Sequence, residues 1–145
     1  MVRNLNDSRE LAGSLRTILL RLARELRREI HSLGVTGGQV SLLAAIEKSP
    51  GITASALADM ERVSAAAMSG HLKRLETAGL IARERENDRR RVRLTVTPGG
   101  AGVLRSVRQK RTAWLTQRLA GLTKSERESI EQAIEPLAKL LEGAE

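Results

Sequence analysis

The residues best equipped for chemistry lie in one stretch of the chain. Between Arg62 and Arg93 there are nine Lys or Arg and four Asp or Glu, a local charge of +5. Near its end Asp88, Arg89, Arg90 and Arg91 stand side by side. Guanidinium groups in such a cluster bind phosphates or enter a narrow minor groove, where the negative potential is deepest, and a nearby carboxylate orients them. Upstream, Ser69, Lys73 and Arg74 add a hydroxyl, an ammonium and another guanidinium. These groups meet base edges and phosphates. The 145-residue chain carries a net charge of +8. A domain this basic favours a polyanion, with nucleic acid the first candidate and an anionic membrane surface the second.

Composition removes other chemistries. The chain has no Cys, which excludes disulfides, thiolate catalysis, thiol sensing and Cys-ligated zinc. His31 and His71 are isolated and give little support for a metal site. His31, near the end of the first helix, can cap its carbonyls. Trp114 is the only aromatic residue, which argues against single-strand or RNA binding by base stacking. Glycine pairs 37–38 and 99–100 lack the rest of a nucleotide-binding motif, and no Ser-His-Asp arrangement is evident. No enzyme activity, cofactor or metal is expected. No apolar run approaches the roughly 18 residues of a membrane span, and MVRNLNDSRE has no signal-peptide core. A cytoplasmic location is the expectation.

Helices and a hairpin must hold these groups. Asp7-Ser8-Arg9-Glu10 has the form of a capping box. Leu11, Leu15, Ile18, Leu19, Leu22, Leu26 and Ile30 then predict one long amphipathic helix ending near Gly34. Thr36 to Gln39 is a second box, opening a helix with Val40, Leu43 and Ile46 that Ser49-Pro50-Gly51 breaks. Thr53 caps a very short third helix, which carries Ser55, Leu57, Ala58 and Met60. Ser64 caps a fourth, running to about Ala78 before Gly79. Residues 81–85 read as a strand, and Val92, Leu94 and Val96 alternate with Arg93, Thr95 and Thr97 as a second. After Thr97 to Gly100 comes a helix with Val103, Leu104, Val107, Trp114, Leu115 and Leu119. Thr123 to Glu126 is a further capping box, opening a last helix with Ile130, Ile134, Leu137, Leu140 and Leu141.

Two short helices, a tight turn and a hairpin are the parts of a winged helix-turn-helix, whose second helix enters the major groove. Turning 100° per residue places Ala65, Met68, Leu72 and Leu75 on one side of the fourth helix. Ala66, Ser69, Gly70, Lys73, Arg74 and Thr77 lie opposite. Small residues let the backbone approach bases, Ala66 and Ala67 suit thymine methyls, and Ser69 suits a base edge. Gly70 costs roughly 1 kcal/mol of helix stability relative to alanine. His71 falls at the edge of the apolar face, where a packed structural role competes with a DNA contact. The candidate DNA-binding set is Thr53, Ser55, Ser64, Ala66, Ala67, Ser69, Gly70, His71, Lys73 and Arg74, with Arg85, Asp88, Arg89, Arg90 and Arg91 on the wing.

Several ordered motifs resemble the MarR (multiple antibiotic resistance regulator) family. Gly34 to Gln39 resembles its "LTxxQ" helix start, and Val63-Ser64 with Leu75 to Ile81 resembles its recognition helix and "LExxGLI" exit. Asp88-Arg89-Arg90 followed by Val96 to Gly100 resembles its wing, "DxR…LTxxG". The resemblance implies a dimer built by the first and the last two helices. It also implies recognition helices in successive major grooves and wings in the flanking minor grooves, with Arg90 as wing-tip arginine and Asp88 its orienting partner. Many relatives carry a long polar or basic side chain where this chain has Gly70, so direct base readout is expected to be thin. A small phenolic or anionic effector is a further implication of the resemblance alone.

The expected fold is mainly α with a small β-hairpin wing. Residues 1–34 form part of a dimerisation stem, 35–98 a DNA-binding lobe and 99–145 the remaining stem helices. Leu11, Leu15, Ile18, Trp114, Leu115, Ile134, Leu137 and Leu141 are the expected dimer contacts. Val103–Arg118 carries five basic and no acidic residues, whereas 124–145 carries three basic and six acidic. Opposite-sign stems can pair with each other or with the arginine-rich first helix. The expected function is a homodimeric repressor binding a pseudo-palindromic duplex. The alternatives are a non-specific architectural DNA-binding protein and a protein-interaction module.

Overall fold

The computed structural model describes residues 5–86 and 91–144. The first helix, α1, spans Leu5–Glu29. It starts before Asp7, so Asp7 sits within the first turn and the expected capping box there is not a cap. It also ends earlier than expected. A short 3-10 turn, His31–Leu33, follows, and Gly34 closes it with φ +73° and an N–H to the His31 carbonyl. A left-handed residue at a helix end favours glycine because no Cβ clashes there.

Helix α2 (Gly37–Lys48) opens on the expected box, in which Thr36 and Gln39 exchange side-chain and backbone hydrogen bonds. A two-residue strand, β1 (Ile52–Thr53), comes next, and Thr53 then caps α3 (Ala54–Met60) by accepting from the Ala56 N–H at 3.1 Å. The turn into α4 (Ala65–Thr77) passes through Arg62 at φ +54°. Strands β2 (Ile81–Arg85) and β3 (Val92–Val96) pair antiparallel, Ile81 opposite Val96 and Arg85 opposite Val92. The hairpin is thus the one expected, but the sheet has a third member. β1 pairs with β3, giving the order β1-β3-β2. Helices α5 (Pro98–Ala120) and α6 (Lys124–Lys139) complete the chain.

The chain divides into two compact units, residues 1–111 and 112–145. In the first, Ile30, Leu43, Ile46, Leu57, Met68, Leu72, Leu75, Leu94 and Val107 are fully buried. They come from α1's edge, α2, α3, α4, β3 and α5, so one core fixes the helix-turn-helix against the sheet. Each such side chain contributes roughly 1.5–3 kcal/mol through the hydrophobic effect. In the second unit, Thr123 and Glu126 form the expected reciprocal cap of α6. Arg118 lies over the Trp114 ring, 5.1 Å from its centroid.

Candidate nucleic-acid interface

Helix α4 is positioned by its apolar side. Met68, Leu72 and Leu75 are buried, which sets the rotation of the whole helix. Ala65, expected on that side, is exposed instead, because it lies in the first turn before the helix reaches the core. Ala66, Ala67, Ser69, Lys73, Arg74 and Thr77 are exposed and Gly70 is half-buried. Ser64 accepts from the Ala67 N–H at 3.1 Å, so its oxygen serves the helix start. A Cβ built on Gly70 meets no atom of the chain within 4 Å. The fold itself therefore does not require glycine there. His71 is exposed rather than packed, with Nδ1 3.5 Å from an Arg74 guanidinium nitrogen.

The basic residues of the wing divide into two groups. Arg83 lies 3.1 Å from Glu76 and reaches the Ser69 carbonyl at 3.5 Å, bracing β2 against α4. Arg93 donates to Glu86 and, at 3.1 Å, to the Gly51 carbonyl. Both count towards the local charge of +5 in the sequence, yet both hold the fold. The carboxylates of Glu76 and Glu86, set within an arginine-rich stretch, were the signal for this role. Arg85 and Arg91 are exposed. Asp88, Arg89 and Arg90 lie outside the described residues. Thr53 is half-buried at the start of α3 and Ser55 is exposed beside it.

The hairpin is tied to the end of α4 through Thr97 as well. Thr97 donates its hydroxyl to the Gly79 carbonyl at 2.6 Å and accepts from the Gly100 N–H at 3.0 Å. A Cβ on Gly100 would lie 2.1 Å from the Leu80 carbonyl oxygen, so only glycine allows α5 to start this close to the α4–β2 turn.

These features are those of a winged helix-turn-helix, and the comparisons agree. Residues 33–91 match the model of the MarR family. The uncharacterized HTH-type transcriptional regulator Mb0904 of Mycobacterium bovis is 32% identical over 139 residues, covering 95% of this chain and 97% of that protein. The chain belongs to the MarR family. It is a helix-turn-helix transcription regulator, not an enzyme. The HTH-type transcriptional repressor MdtR of Bacillus subtilis is 31% identical over 133 residues, covering 91% of this chain and 84% of that protein. Among solved structures, a protein of Pseudomonas aeruginosa aligns with a TM-score of 0.81 at 32% identity, over 95% of this chain and 97% of that one. The fold expectation of a mainly helical, winged architecture is therefore correct, with a three-stranded rather than two-stranded sheet.

On α1, Leu11 and Ile18 are 67% and 52% exposed, while Leu15 is half-buried. In the 112–145 unit, Ile134 and Leu141 are 61% and 75% exposed, with Leu115 also exposed and Trp114 and Leu137 half-buried. A cleft of about 500 Å³ lies between α2 and α4, lined by Thr36, Gln39, Leu42, Met68, His71 and Arg74 among others. Among the described residues no helix is long and apolar enough to cross a membrane, and no three His, Asp or Glu side chains gather to hold a metal ion.

Proposed function

We propose that this regulator acts as a homodimer that binds a pseudo-palindromic DNA duplex and represses transcription from it. The observation that carries this reading is the outward side of α4. Ser69, Lys73 and Arg74 are exposed opposite the buried Met68, Leu72 and Leu75, and Arg85 and Arg91 are exposed on the neighbouring wing. In this reading residues 35–98 are the DNA-binding lobe, and 1–34 with 99–145 are the stem.

Each candidate residue then has a task. Ser69 and Lys73 face base edges, and Ala66 and Ala67 allow close approach with Gly70. Thr53, Ser55 and Ser64 stand at helix starts, where N–H groups and hydroxyls meet phosphates. His71 and Arg74 contact the backbone beside them. Arg85, Arg89, Arg90 and Arg91 serve the minor groove, with Asp88 orienting Arg90. The exposed Leu11, Ile18, Leu115, Ile134 and Leu141, with Leu15, Trp114 and Leu137, support a partner subunit, since apolar patches of this kind mark interaction surfaces. Repression is supported by the relative from Bacillus subtilis that bears the name repressor. A small-molecule effector has room in the cleft between α2 and α4, where it would press on His71 and Arg74.

Selection of bound DNA from a random duplex pool tests the reading. Recovery of an inverted repeat, bound at least about 10³-fold more tightly than random duplex, is the expected result. A ratio near one would favour the architectural alternative, to which the small side chains of Ala65 to Ala67 and Gly70 also point.

A further inference from the structure

The end of α1 carries a cationic groove that the proposed DNA interface leaves unused. It has a volume of about 690 Å³ and lies against the start of α2, lined by Arg21, Arg24, Arg27, Arg28, His31 and Thr36 among others. Arg21, Arg24 and Arg28 are placed along the outer side of α1, and at 100° per residue the four arginines occupy about a third of the helix circumference. The apolar stripe of Leu11, Leu15, Ile18 and Leu22 lies on the opposite side. Among the described residues no acidic side chain lines the groove. Arg28 has an ion-pair partner in Glu25 at 3.3 Å, with both side chains exposed.

Two features raise the positive potential further. A Cβ on Gly37 would lie 3.0 Å from Arg27 Cδ, so the Arg27 stem runs over the first residue of α2. The N-terminus of that helix is itself a positive pole. Cations gathered there are unfavourable without an anion. Thr36, in addition, lines both this groove and the cleft that reaches His71 and Arg74 on α4. The groove and that cleft therefore adjoin at the start of α2, although the cleft between Thr36 and Arg74 is lined mostly by neutral side chains, with Glu61 among them.

We infer that this groove is a contact for the DNA phosphate backbone, extending the footprint of the duplex beyond α4 and the wing. The inference rests on the DNA-binding function proposed for α4 and the wing. A long polyanion fits the spread of the arginines, and the groove meets, at Thr36, the cleft that reaches Arg74 on α4, which points to the same duplex. The competing occupant is the acidic α6 of a second subunit, with Glu128, Glu131 and Glu135.

The test combines DNA affinity at several salt concentrations with light-scattering chromatography. It uses the full chain, the tightest duplex from the pool selection and a random duplex of equal length. The variant is Arg21→Gln/Arg24→Gln/Arg28→Gln. A control, Arg9→Gln/Arg16→Gln/Arg105→Gln, removes equal charge elsewhere. The groove variant should lose affinity by a similar factor on both duplexes. Its slope of log K against log[salt] should become shallower by about 0.9 for each phosphate that is no longer neutralised, about 2 or more in all. It should stay dimeric and fold with an unchanged melting curve, and the control should keep the wild-type slope. An unchanged slope in the groove variant, or an equal change in the control, overturns the inference while leaving DNA binding intact. A shift to monomer also overturns it and assigns the arginines to subunit pairing. Failure of the wild-type protein to bind either duplex would remove the DNA-binding function and this inference together.

Discussion

The Thr97 hydroxyl donates to the Gly79 carbonyl at 2.6 Å, joining the residue that follows β3 to the turn that ends α4. The same oxygen receives the Gly100 N–H, so one side chain serves the end of one helix and the start of the next. Thr97→Val keeps the shape and removes both bonds. It should lower stability by about 1–2 kcal/mol. Gly100→Ala should cost more, about 1–3 kcal/mol or above, because its methyl would overlap the Leu80 carbonyl. Urea unfolding of both variants measures the two losses. Equal stability of Gly100→Ala and wild type would contradict the packing described.

Gly70 leads to the reverse expectation for stability. Its Cβ position is open and it sits inside α4. Gly70→Ala should therefore stabilise the fold by roughly 0.5–1 kcal/mol. If the glycine serves approach to bases, the same change should weaken DNA binding. Melting temperature and DNA affinity should thus move in opposite senses. A variant that is both more stable and binds DNA as well as wild type would leave Gly70 without a role in recognition.

The exposed leucines and isoleucines predict the behaviour of stem variants. Leu11→Asp and Leu141→Asp place charges on side chains 67% and 75% exposed in the single chain. They should leave the helical content intact while shifting the protein from dimer to monomer by light scattering. Affinity for an inverted repeat should fall much more than affinity for a half-site. A dimer unaffected by both changes would put the subunit contact elsewhere.

Glu126 gives a pH dependence of known sign. The backbone N–H of Thr123, and then its side chain, hold the carboxyl below its ordinary value. A depressed folded-state value means the cap contributes fully above the ordinary carboxylate range and is lost as pH falls through the lowered value. Glu126→Gln keeps an acceptor but does not titrate. The stability difference between wild type and Glu126→Gln should be greatest near neutral pH and shrink in acid, as followed by urea unfolding across that range. A difference that grows in acid would contradict this cap.

Much of the architecture was legible because its signals are local. Thr36, Thr53, Ser64 and Thr123 each announce a helix start through a hydroxyl three residues from the N–H it accepts. The buried side of α4 followed from spacing alone, apart from Ala65. Strand β1 was not legible, since two residues carry no period and its partner is about forty residues away. The engagement of Arg83 and Arg93 was only partly legible: Glu76 and Glu86 stand seven residues from them, but which carboxylate or carbonyl lies beside a cation is decided by the fold, as with Arg93 and the distant Gly51 carbonyl. Asp7 shows the converse error, a capping pattern overridden by a helix that had already begun.

The short strand β1 has a consequence for exchanging parts between relatives. Thr53 belongs at once to the wing sheet, opposite Arg93, and to the cap of α3. A wing transplanted alone would bring a foreign β3 to a native Ile52–Thr53 edge and strain the entrance to the helix-turn-helix. A graft that carries residues 51–97 as one block keeps that seam intact. The portable unit of this family member is thus the three-stranded block with its two helices, not the hairpin.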